Sequence, residues 1–193
     1  MPQESSFETS SFPEIATLRL ALREIRQEDA PRLHEIWTDP EVLRYLVLDP
    51  FTTLDQTLEM ISILKNLHPL GGGFRWALTL VPEERIIGTC GFHNWKKEHS
   101  RAELGYELEP LSWGRGLMSE AIRAALDFGF ERMGLNRIEA FVTTGNVRSL
   151  GLLERNGFSM EGTLRQYEWA RGSFQDQWVF SLLRQDWENR RIV

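Results

Sequence analysis

The stretch L-S-W-G-R-G-L-M-S-E-A, at residues 111–121, contains residue types that together could bind a phosphate. Gly114 and Gly116 flank Arg115 just before a segment with helical periodicity. The first turn of a helix leaves backbone N–H groups unpaired, and with the helix dipole these groups attract anions. Glycine has no Cβ to block a large anion, and a guanidinium suits phosphate. The pattern therefore predicts a phosphate site at this helix entrance; the structural alternative is a turn that only ends the preceding strand.

Length and charge indicate one globular domain with a cationic partner. The chain has 193 residues and a formal net charge of −6. This length is enough for one domain with a sizeable core. The negative charge argues against broad binding to nucleic acid or to an anionic membrane, and it favours a basic partner. We therefore expect no direct nucleic-acid contact and no membrane association.

Cysteine usage and hydropathy indicate the cytoplasm. Cys90 is the single cysteine, so no intrachain disulfide can form, and no closely spaced His and Cys residues suggest a zinc site. No apolar run reaches the roughly 18 residues that a membrane helix needs. The first residues lack the basic start and apolar centre of a signal peptide. We predict a cytoplasmic protein without a metal.

Periodicity predicts a central sheet that begins as an antiparallel meander. Alternating apolar and polar residues at 17–25 predict a strand, and two helices are expected at 27–37 and about 54–67. Short polar connections then join three further strands, which we place at 74–81, 85–95 and 101–108.

The segment after Gly116 is the clearest helix in the sequence. Its strongly polar residues recur every three or four positions and leave one narrow stripe for water, at Glu120, Arg123, Asp127 and Glu131. Such a helix packs against a sheet over most of its surface. The next strand, at 136–144, follows a helix and can therefore pair in parallel.

The end of the chain is predicted to be a short helix and a hairpin. The helix begins at Asn146 and stops at Asn156-Gly157, a pair suited to a helix C-terminus. Two strands follow at 158–168 and 174–184, with the turn at 171–172.

With this element order, the sequence resembles the GNAT superfamily of N-acetyltransferases. The resemblance covers about residues 17–187 and rests on G-Y-E-L-E-P-L-S-W-G-R-G-L-M-S-E-A and on N-x-x-S-x-x-L-L-E-R-N-G-F from Asn146 to Phe158. Within the superfamily it is most similar to the Rim-type branch, which is associated with N-terminal acetylation of ribosomal proteins. Gly172 and Asp176 match a late G-x-x-x-D element of that branch.

The resemblance implies a fold class and domain limits. We expect an α+β GNAT fold with a mixed, mostly antiparallel sheet of about seven strands flanked by about four helices. The fourth and fifth strands should splay apart, which would place 141–144 opposite 104–108. A single domain at 17–187 would lie between a flexible tail at 1–16 and a C-terminal tail at 188–193, and the arrangement allows a homodimer.

The resemblance also implies acetyl-CoA as co-substrate, with no metal. Its diphosphate would rest on the glycine loop and its pantetheine arm would run along the fourth strand. The residues expected to bind it are Glu107, Leu108, Glu109, Trp113, Gly114, Arg115, Gly116, Leu117, Met118, Ser119, Asn146 and Ser149. Dinucleotide binding fits poorly, because Ser119 stands where that fingerprint has its third glycine. For Asn146, an ordinary helix N-cap is the equally physical alternative.

The implied chemistry is attack of a neutral amine on a thioester. Glu103 lies where many members of the superfamily have a general base, with Glu107 and then Glu109 as further candidates; pairing of Glu103 with His93 or Arg101 is the structural alternative. Many relatives have a tyrosine acid where this chain has Leu153. Ser149, whose spacing from Asn146 matches an acid in some Rim-type enzymes, takes that role here, and simple helix packing is its alternative.

Acceptor selection should depend on residues outside these motifs. We assign it to Trp37, Tyr45, Trp95 and Tyr167, and expect Trp76 and Trp187 to belong to the core. The predicted function is transfer of an acetyl group to an amine, foremost the N-terminal α-amine of a protein and otherwise a small-molecule amine. A non-catalytic acyl-CoA sensor or interaction module is the alternative.

Overall fold

The computed structural model describes residues 11–191, and within them the strands form one eight-stranded sheet. The order across the sheet is β1-β2-β3-β4-β5-β6-β8-β7. Every neighbouring pair is antiparallel except β5 and β6, which are parallel. The strands are β1 (Ile15–Ala16), β2 (Leu20–Glu24), β3 (Phe74–Leu80), β4 (Ile86–Lys96), β5 (Arg101–Leu108), β6 (Arg137–Thr143), β7 (Ser159–Ala170) and β8 (Ser173–Leu183).

Six α-helices flank this sheet within the described residues. They are α1 (Ala30–Thr38), α2 (Pro40–Leu43), α3 (Leu54–Asn66), α4 (Leu117–Asp127), α5 (Val147–Arg155) and α6 (Arg184–Arg191). A π-helical turn at Phe128–Arg132 continues α4. The predicted α+β architecture with a mostly antiparallel sheet is therefore confirmed, and β1, α2 and α6 are additions to it.

Both segments expected to be tails contain regular structure in the described residues. Ile15 and Ala16 pair with Leu22 and Ala21, so β1 extends the sheet from within the segment expected to be a tail. At the other end α6 runs to Arg191, and the indole of Trp187 stacks on Phe130 with ring centroids 4.9 Å apart. These contacts are long-range, so the local pattern did not reveal them. The rest of the predicted N-terminal tail, residues 1–10, lies outside the described residues.

The core fills both faces of the sheet. On one face, α4 buries Leu117, Ala121, Ile122 and Ala125 against the strands. On the other face, α1 and α3 bury Leu33, Ile36, Trp37 and Ile61. The largest fully buried side chains include Trp76, Phe74, Phe92, Phe130 and Phe180. Trp76 thus belongs to the core as expected, whereas Trp187 is only partly buried at its margin.

The terminal hairpin forms where the sequence places it. Arg171 and Gly172 both have positive φ angles, of 50° and 76°, which a two-residue type I′ turn requires. The same turn contacts a distant part of the chain, because Arg171 Nη1 donates to the carbonyls of Leu43, at the end of α2, and of Leu46 just after it.

The parallel pair β5–β6 is short. Arg101, Ala102 and Glu103 pair with Arg137, Ile138 and Glu139, and beyond these residues the two strands separate. A group of ion pairs closes the joined end. Glu139 accepts from Arg101 Nη1 at 2.7 Å and from Arg137 Nε at 2.8 Å, and Arg137 also binds Glu161 through two nitrogens at 2.8 and 2.5 Å.

We predict that the Arg137–Glu161 pair makes stability depend on acidity. Hydrogen bonds from Arg137 and Ser181 hold the pKa of Glu161 at about 2, below the ordinary 4.5. The pair therefore stabilises the fold fully above pH 4.5 and loses this effect as the pH falls towards 2. Urea unfolding should show wild type more stable than Glu161→Gln by up to about 1 kcal/mol at pH 6, with a smaller difference at pH 3. A difference that stays constant over this range would contradict the prediction.

Candidate active site

A cleft of about 1570 Å³ opens where β5 and β6 separate. Its walls are the outer half of β5, the outer half of β6, the first turn of α5 and the glycine loop before α4. The segment after α2 and the side chain of Tyr167 from β7 border the same cleft. The splay expected between the fourth and fifth strands of the predicted sheet thus lies between β5 and β6 in the structure.

The backbone of β5 presents unused hydrogen-bonding groups to this cleft. Glu109 N–H donates to the carbonyl of Ile87 at 2.8 Å. Because pairing alternates along an antiparallel ladder, the odd-numbered residues of β5 direct their backbone groups to β4 and the even-numbered ones away from it. Past Leu104, no strand within residues 11–191 takes up that second side. The N–H and C=O of Tyr106 and the N–H of Leu108 therefore face the cleft, where an extended ligand could bind them as an added strand does.

The glycine loop has room for a ligand where side chains would stand. Gly114 and Gly116 adopt φ angles of 70° and 75°, which favour glycine. A Cβ added to Gly114 would meet nothing within 4 Å, and one added to Gly116 would meet only Arg19 Nη2, at 3.6 Å. Arg115 between them is exposed. The loop leads directly into the N-terminus of α4, so the loop geometry fits an anion such as a diphosphate.

Arg19 and Glu120 hold this loop in place, and neither role was predicted from the sequence. Arg19 Nη1 donates to the carbonyl of Arg115 at 2.9 Å. Glu120, in the first turn of α4, accepts from Thr17 Oγ1 at 2.7 Å, from Arg19 N at 2.8 Å and from Arg19 Nε at 2.7 Å. Burial alone would raise the pKa of Glu120, but these hydrogen bonds hold it below its ordinary value. The carboxylate thus stays ionised and ties the loop to the edge of β2.

Other residues of the predicted cofactor loop face in different directions. Trp113 Nε1 donates to the carbonyl of Leu108 at 2.7 Å, and the guanidinium of Arg148 lies 4.5 Å from the centre of the Trp113 ring. Leu117 is in the core, and Met118 is buried at the edge of the cleft. Ser119 Oγ donates to Asn156 Oδ1 at 3.1 Å, which joins α4 to the end of α5. For Leu117 and Ser119 only backbone groups remain to bind a ligand.

Glu107, expected as a cofactor contact and as a candidate base, is instead part of a buried hydrogen-bond network. Its side chain accepts from Trp37 Nε1 at 3.0 Å and from Thr89, and it pairs with Arg75. Only 6% of the Glu107 side chain and 12% of Arg75 are exposed. These three donors occupy most of the roughly four acceptor sites of the carboxylate, so Glu107 is less available than Glu103 to take a proton.

Glu109 is engaged in the same way, which makes its carboxylate a poor candidate base. It accepts from Ser112 Oγ at 2.7 Å and from Arg85 at 2.8–2.9 Å, and it pairs with Arg32. It is 3% exposed and does not line the cleft. Its backbone N–H already binds β4. The carboxylate therefore fixes the end of β5 and takes no part in the cleft.

Two carboxylates of β5 line the cleft, Glu103 and Glu107, and Glu103 is the one without an arginine partner. Its partner is His93, whose Nε2 lies 3.3 Å from Glu103 Oε2 on the neighbouring strand, whereas Arg101 binds Glu139. Burial raises the pKa of Glu103, but hydrogen bonds from His93 and Asn94 outweigh it and hold the pKa below the ordinary value. Glu103 is therefore ionised at neutral pH and can accept a proton. His93 and Asn94 also line the cleft, because the β4–β5 register places His93 opposite Glu103.

Asn146 and Ser149 lie at the start of α5. Asn146 Oδ1 accepts from Ser149 N–H at 3.1 Å, so Asn146 caps the helix. Ser149 Oγ lies 2.5 Å from the hydroxyl of Tyr106 on β5, across the cleft. Both residues line the cleft, so each can also contact a bound ligand. Tyr106 was not singled out from the sequence, because 43 residues separate it from Ser149 and only packing of α5 beside β5 joins them.

The four residues assigned to acceptor selection separate into two groups. Tyr45 and Tyr167 line the cleft, and the Tyr167 ring stacks on Phe141 with centroids 5.7 Å apart. Trp37 is 3% exposed and packs beneath the cleft against Phe51. Trp95 lies outside the cleft beside Phe74. Their large apolar surfaces are used in packing, which explains why neither indole reaches the cleft.

The segment after α2 is tied to the opposite wall. Thr143 Oγ1 on β6 donates to the carbonyl of Tyr45 at 3.1 Å, and Arg171 binds the carbonyls of Leu43 and Leu46. These bonds hold Tyr45 over the separated strands. An acceptor that enters here must pass beside this segment.

Charges around the cleft differ between its two ends. Beside the glycine loop, α5 contributes Arg148 and Arg155. Away from the loop the ionisable lining residues include Glu41, Glu103, Glu107 and Glu168, with Arg75 paired to Glu107 and His93 beside Glu103. The first end favours an anion and the second a cation.

Residues 11–191 contain neither a membrane-spanning helix nor a cluster of metal-ligating side chains. No helix there is long and apolar enough to cross a membrane. Groups of three or more His, Cys, Asp or Glu residues that could hold a metal ion are also absent from that range.

Comparison with known proteins gives a family. Residues 19–159 match the family described as acetyltransferase (GNAT) domain. The chain is 42% identical over 171 residues to N-acetyltransferase p20 of Bacillus licheniformis, covering 89% of this chain and 96% of that protein. It is 28% identical over 188 residues to ribosomal protein uS5-alanine N-acetyltransferase of Escherichia coli, covering 92% and 95%.

The solved structures include a similar fold with CoA bound. Spermidine N-acetyltransferase of Vibrio cholerae, in complex with CoA and spermine, superposes with a TM-score of 0.78 at 22% identity, over 90% of this chain and 100% of that one. At this identity the likeness establishes the fold alone, which is the GNAT fold predicted from the sequence.

We predict that a side chain at Gly116 blocks CoA binding. Gly116→Val and Gly71→Val impose similar backbone strain, because Gly71 has φ of 69° and its added Cβ would meet only the end of Lys97, at 3.5 Å. Both variants should lose about 1–2 kcal/mol of stability. Calorimetry should show Gly116→Val binding CoA at least about 100-fold more weakly, a loss of about 2.7 kcal/mol, with Gly71→Val binding as wild type. Equal affinity of the two variants would remove the phosphate role of the loop.

A second prediction concerns the buried Glu107. Glu107→Ala leaves Arg75 without its buried partner and should lower the free energy of unfolding by about 3 kcal/mol. Glu98→Ala, on an exposed turn, should change it by less than about 0.5 kcal/mol. Urea denaturation measures both. Unchanged stability with strongly reduced turnover would instead return Glu107 to the candidate bases.

Proposed function

Because the chain belongs to the acetyltransferase (GNAT) family and is an acetyl-CoA-dependent N-acetyltransferase, we propose that it acetylates the α-amine at the N-terminus of a protein. The observation that carries this proposal is the cleft between β5 and β6, with an anion-binding loop at one end and Glu103 at the other. We place the enzyme in the cytoplasm, since its single cysteine, Cys90, is free and buried.

The chain's own groups suit acetyl-CoA along the length of the cleft. The loop at Gly114 and Gly116, with the N-terminus of α4, would hold the diphosphate. The backbone groups of Tyr106 and Leu108 would bind the amides of the pantetheine arm as a neighbouring strand does. When bound, the co-substrate supplies an activated acetyl group. The protein must then place an amine at its carbonyl carbon, accept a proton from nitrogen and stabilise the departing sulfur.

Glu103 is the proposed base. It lines the cleft, it is ionised at neutral pH, and its bond with His93 orients the carboxylate. A proton passes from the amine nitrogen to Glu103 directly or through a water molecule. Since its low pKa makes it a weak base, this contribution suits an amine that is already partly neutral.

The acceptor's own pKa favours an N-terminal amine. An α-amino group with a pKa near ~8 is neutral in roughly a tenth to a third of molecules at pH 7 to 7.5, whereas a lysine near ~10.4 is neutral in about one in a thousand. A weak base therefore suffices for the first acceptor. The Escherichia coli relative named for the alanine of ribosomal protein uS5 supports this choice.

A polyamine is the second candidate acceptor. Glu41, Glu103 and Glu168 give the acceptor end of the cleft three carboxylates, which attract an amine that carries further positive charges. The Vibrio cholerae neighbour bound to spermine supports this candidate. Salt should weaken binding of a polyamine more than that of a neutral N-terminal peptide.

Release of CoA tests the proposal. Wild type should release free thiol from acetyl-CoA when peptides with N-terminal Ser or Ala are supplied, and blocking their α-amines should stop it. Release with spermidine alone would select the polyamine. No release with a broad panel of amines, despite CoA binding, would instead make the protein a non-catalytic acyl-CoA sensor.

Replacement of the proposed base gives a sharper prediction. Glu103→Gln should lower kcat/KM about 10-fold at every pH from 6 to 9, because Glu103 is ionised throughout this range. In both proteins the rate should rise with pH up to the pKa of the acceptor amine, near ~8 for a peptide. Initial rates in overlapping buffers measure both profiles. An unchanged rate would assign Glu103 to structure alone.

A further inference from the structure

The hydroxyl pair of Tyr106 and Ser149 joins the two walls of the cleft. Tyr106 projects from β5, Ser149 from the first turn of α5, and their oxygens are 2.5 Å apart. This contact crosses the cleft at the middle of the strand whose backbone groups would bind the pantetheine arm. Both side chains are half-buried and both line the cleft.

We propose that Tyr106 is a positioning residue for the leaving thiolate, which orients the Ser149 hydroxyl so that its hydrogen points at the sulfur. The inference rests on the proposed function, because it concerns the same reaction. The Ser149 hydroxyl then serves the departure of the thiolate. Many related enzymes use a tyrosine for this step, at the position where this chain has Leu153, which is fully buried.

The direction of the hydrogen bond follows from the acidity of the two groups. A phenol is a stronger acid than an alcohol, so the Tyr106 hydroxyl is the better donor and the Ser149 oxygen the better acceptor. Burial raises the pKa of Tyr106, and the phenol therefore keeps its proton at any working pH. With its oxygen occupied by Tyr106, Ser149 turns its own hydrogen away from β5 and into the cleft.

The serine is also fixed from its own helix. Asn146 accepts the Ser149 backbone N–H at 3.1 Å, which sets the first turn of α5 and hence the position of the side chain. Two neighbours thus restrict Ser149, one through its backbone and one through its hydroxyl. A donor fixed before reaction needs no reorganisation when negative charge forms nearby, and such donors contribute most to catalysis of this kind.

The reaction step balances without another reactant. The amine nitrogen forms a bond to the carbonyl carbon while the carbon–sulfur bond breaks and its electron pair goes to sulfur. Nitrogen gives one proton to Glu103 or water, and the solvent returns one proton to sulfur to give the thiol. A serine hydroxyl is too weak an acid to protonate a thiolate with a pKa near ~8.5. The pair therefore stabilises the thiolate by a charge-assisted hydrogen bond and transfers no net proton.

Kinetics separate this role from simple packing. Tyr106→Phe removes one oxygen and should lower kcat about 10-fold, with KM for acetyl-CoA within about twofold of wild type. Ser149→Ala should lower kcat at least as much, and the double variant no further, because Tyr106 acts through Ser149. Ser149→Thr keeps a hydroxyl and should restore most of the rate. Additive losses in the double variant would overturn the proposal.

Binding without turnover provides the second readout. Calorimetry compares CoA with desulfo-CoA, in which hydrogen replaces the thiol. Wild type should prefer CoA, and Tyr106→Phe and Ser149→Ala should each reduce this preference about fivefold. A purely structural role would weaken both ligands alike and leave the ratio unchanged, which overturns the inference. If wild type binds neither ligand, the proposed function itself fails, so the two failures are distinguishable.

Discussion

The separation of β5 from β6 is the constraint on which the rest of the site depends. Three residues of each strand pair, and an ion-pair group around Arg137 and Glu139 holds that end closed. Beyond it the sheet is interrupted although the core continues on both faces. Backbone N–H and C=O groups without partners are costly unless something binds them. Those of β5 that face the opening are therefore available to an extended ligand.

Two helices begin at this opening, and hydrogen bonds fix the start of each. The loop before α4 is bound through Arg19 and Glu120 to the residues that precede β2, and the first turn of α5 is capped by Asn146. Their N-termini and the arginines of α5 make one end of the cleft suited to an anion. The carboxylates at the other end make it suited to an amine. The charge distribution along the cleft thus matches the two partners of an acetyl transfer to nitrogen.

Environment gives four glutamates on neighbouring strand positions different roles. Glu107 and Glu109 are buried and paired with arginines, so they stabilise the junction of β5 with its neighbours. Glu139 serves the closed end of the strand pair. Glu103 has a histidine partner and an open side towards the cleft. The residue type alone is therefore a poor guide to chemistry, and the number of strong partners decides which carboxylate remains available.

The sequence by itself determined the class of fold, the order of the elements, the hairpin turn at Arg171-Gly172 and the glycine loop before α4. These features depend on local periodicity and on backbone angles that only certain residues adopt, and both can be read along the chain. The tertiary structure decided which faces of the strands meet which helices. It buried Trp37 and Glu107, set Trp95 outside the cleft, placed Tyr106 against Ser149 and tied Arg19 to the loop. Strand parity assigns a side chain to a face, but contacts between residues 40 or 100 positions apart form only when the elements pack, so no local pattern contains them.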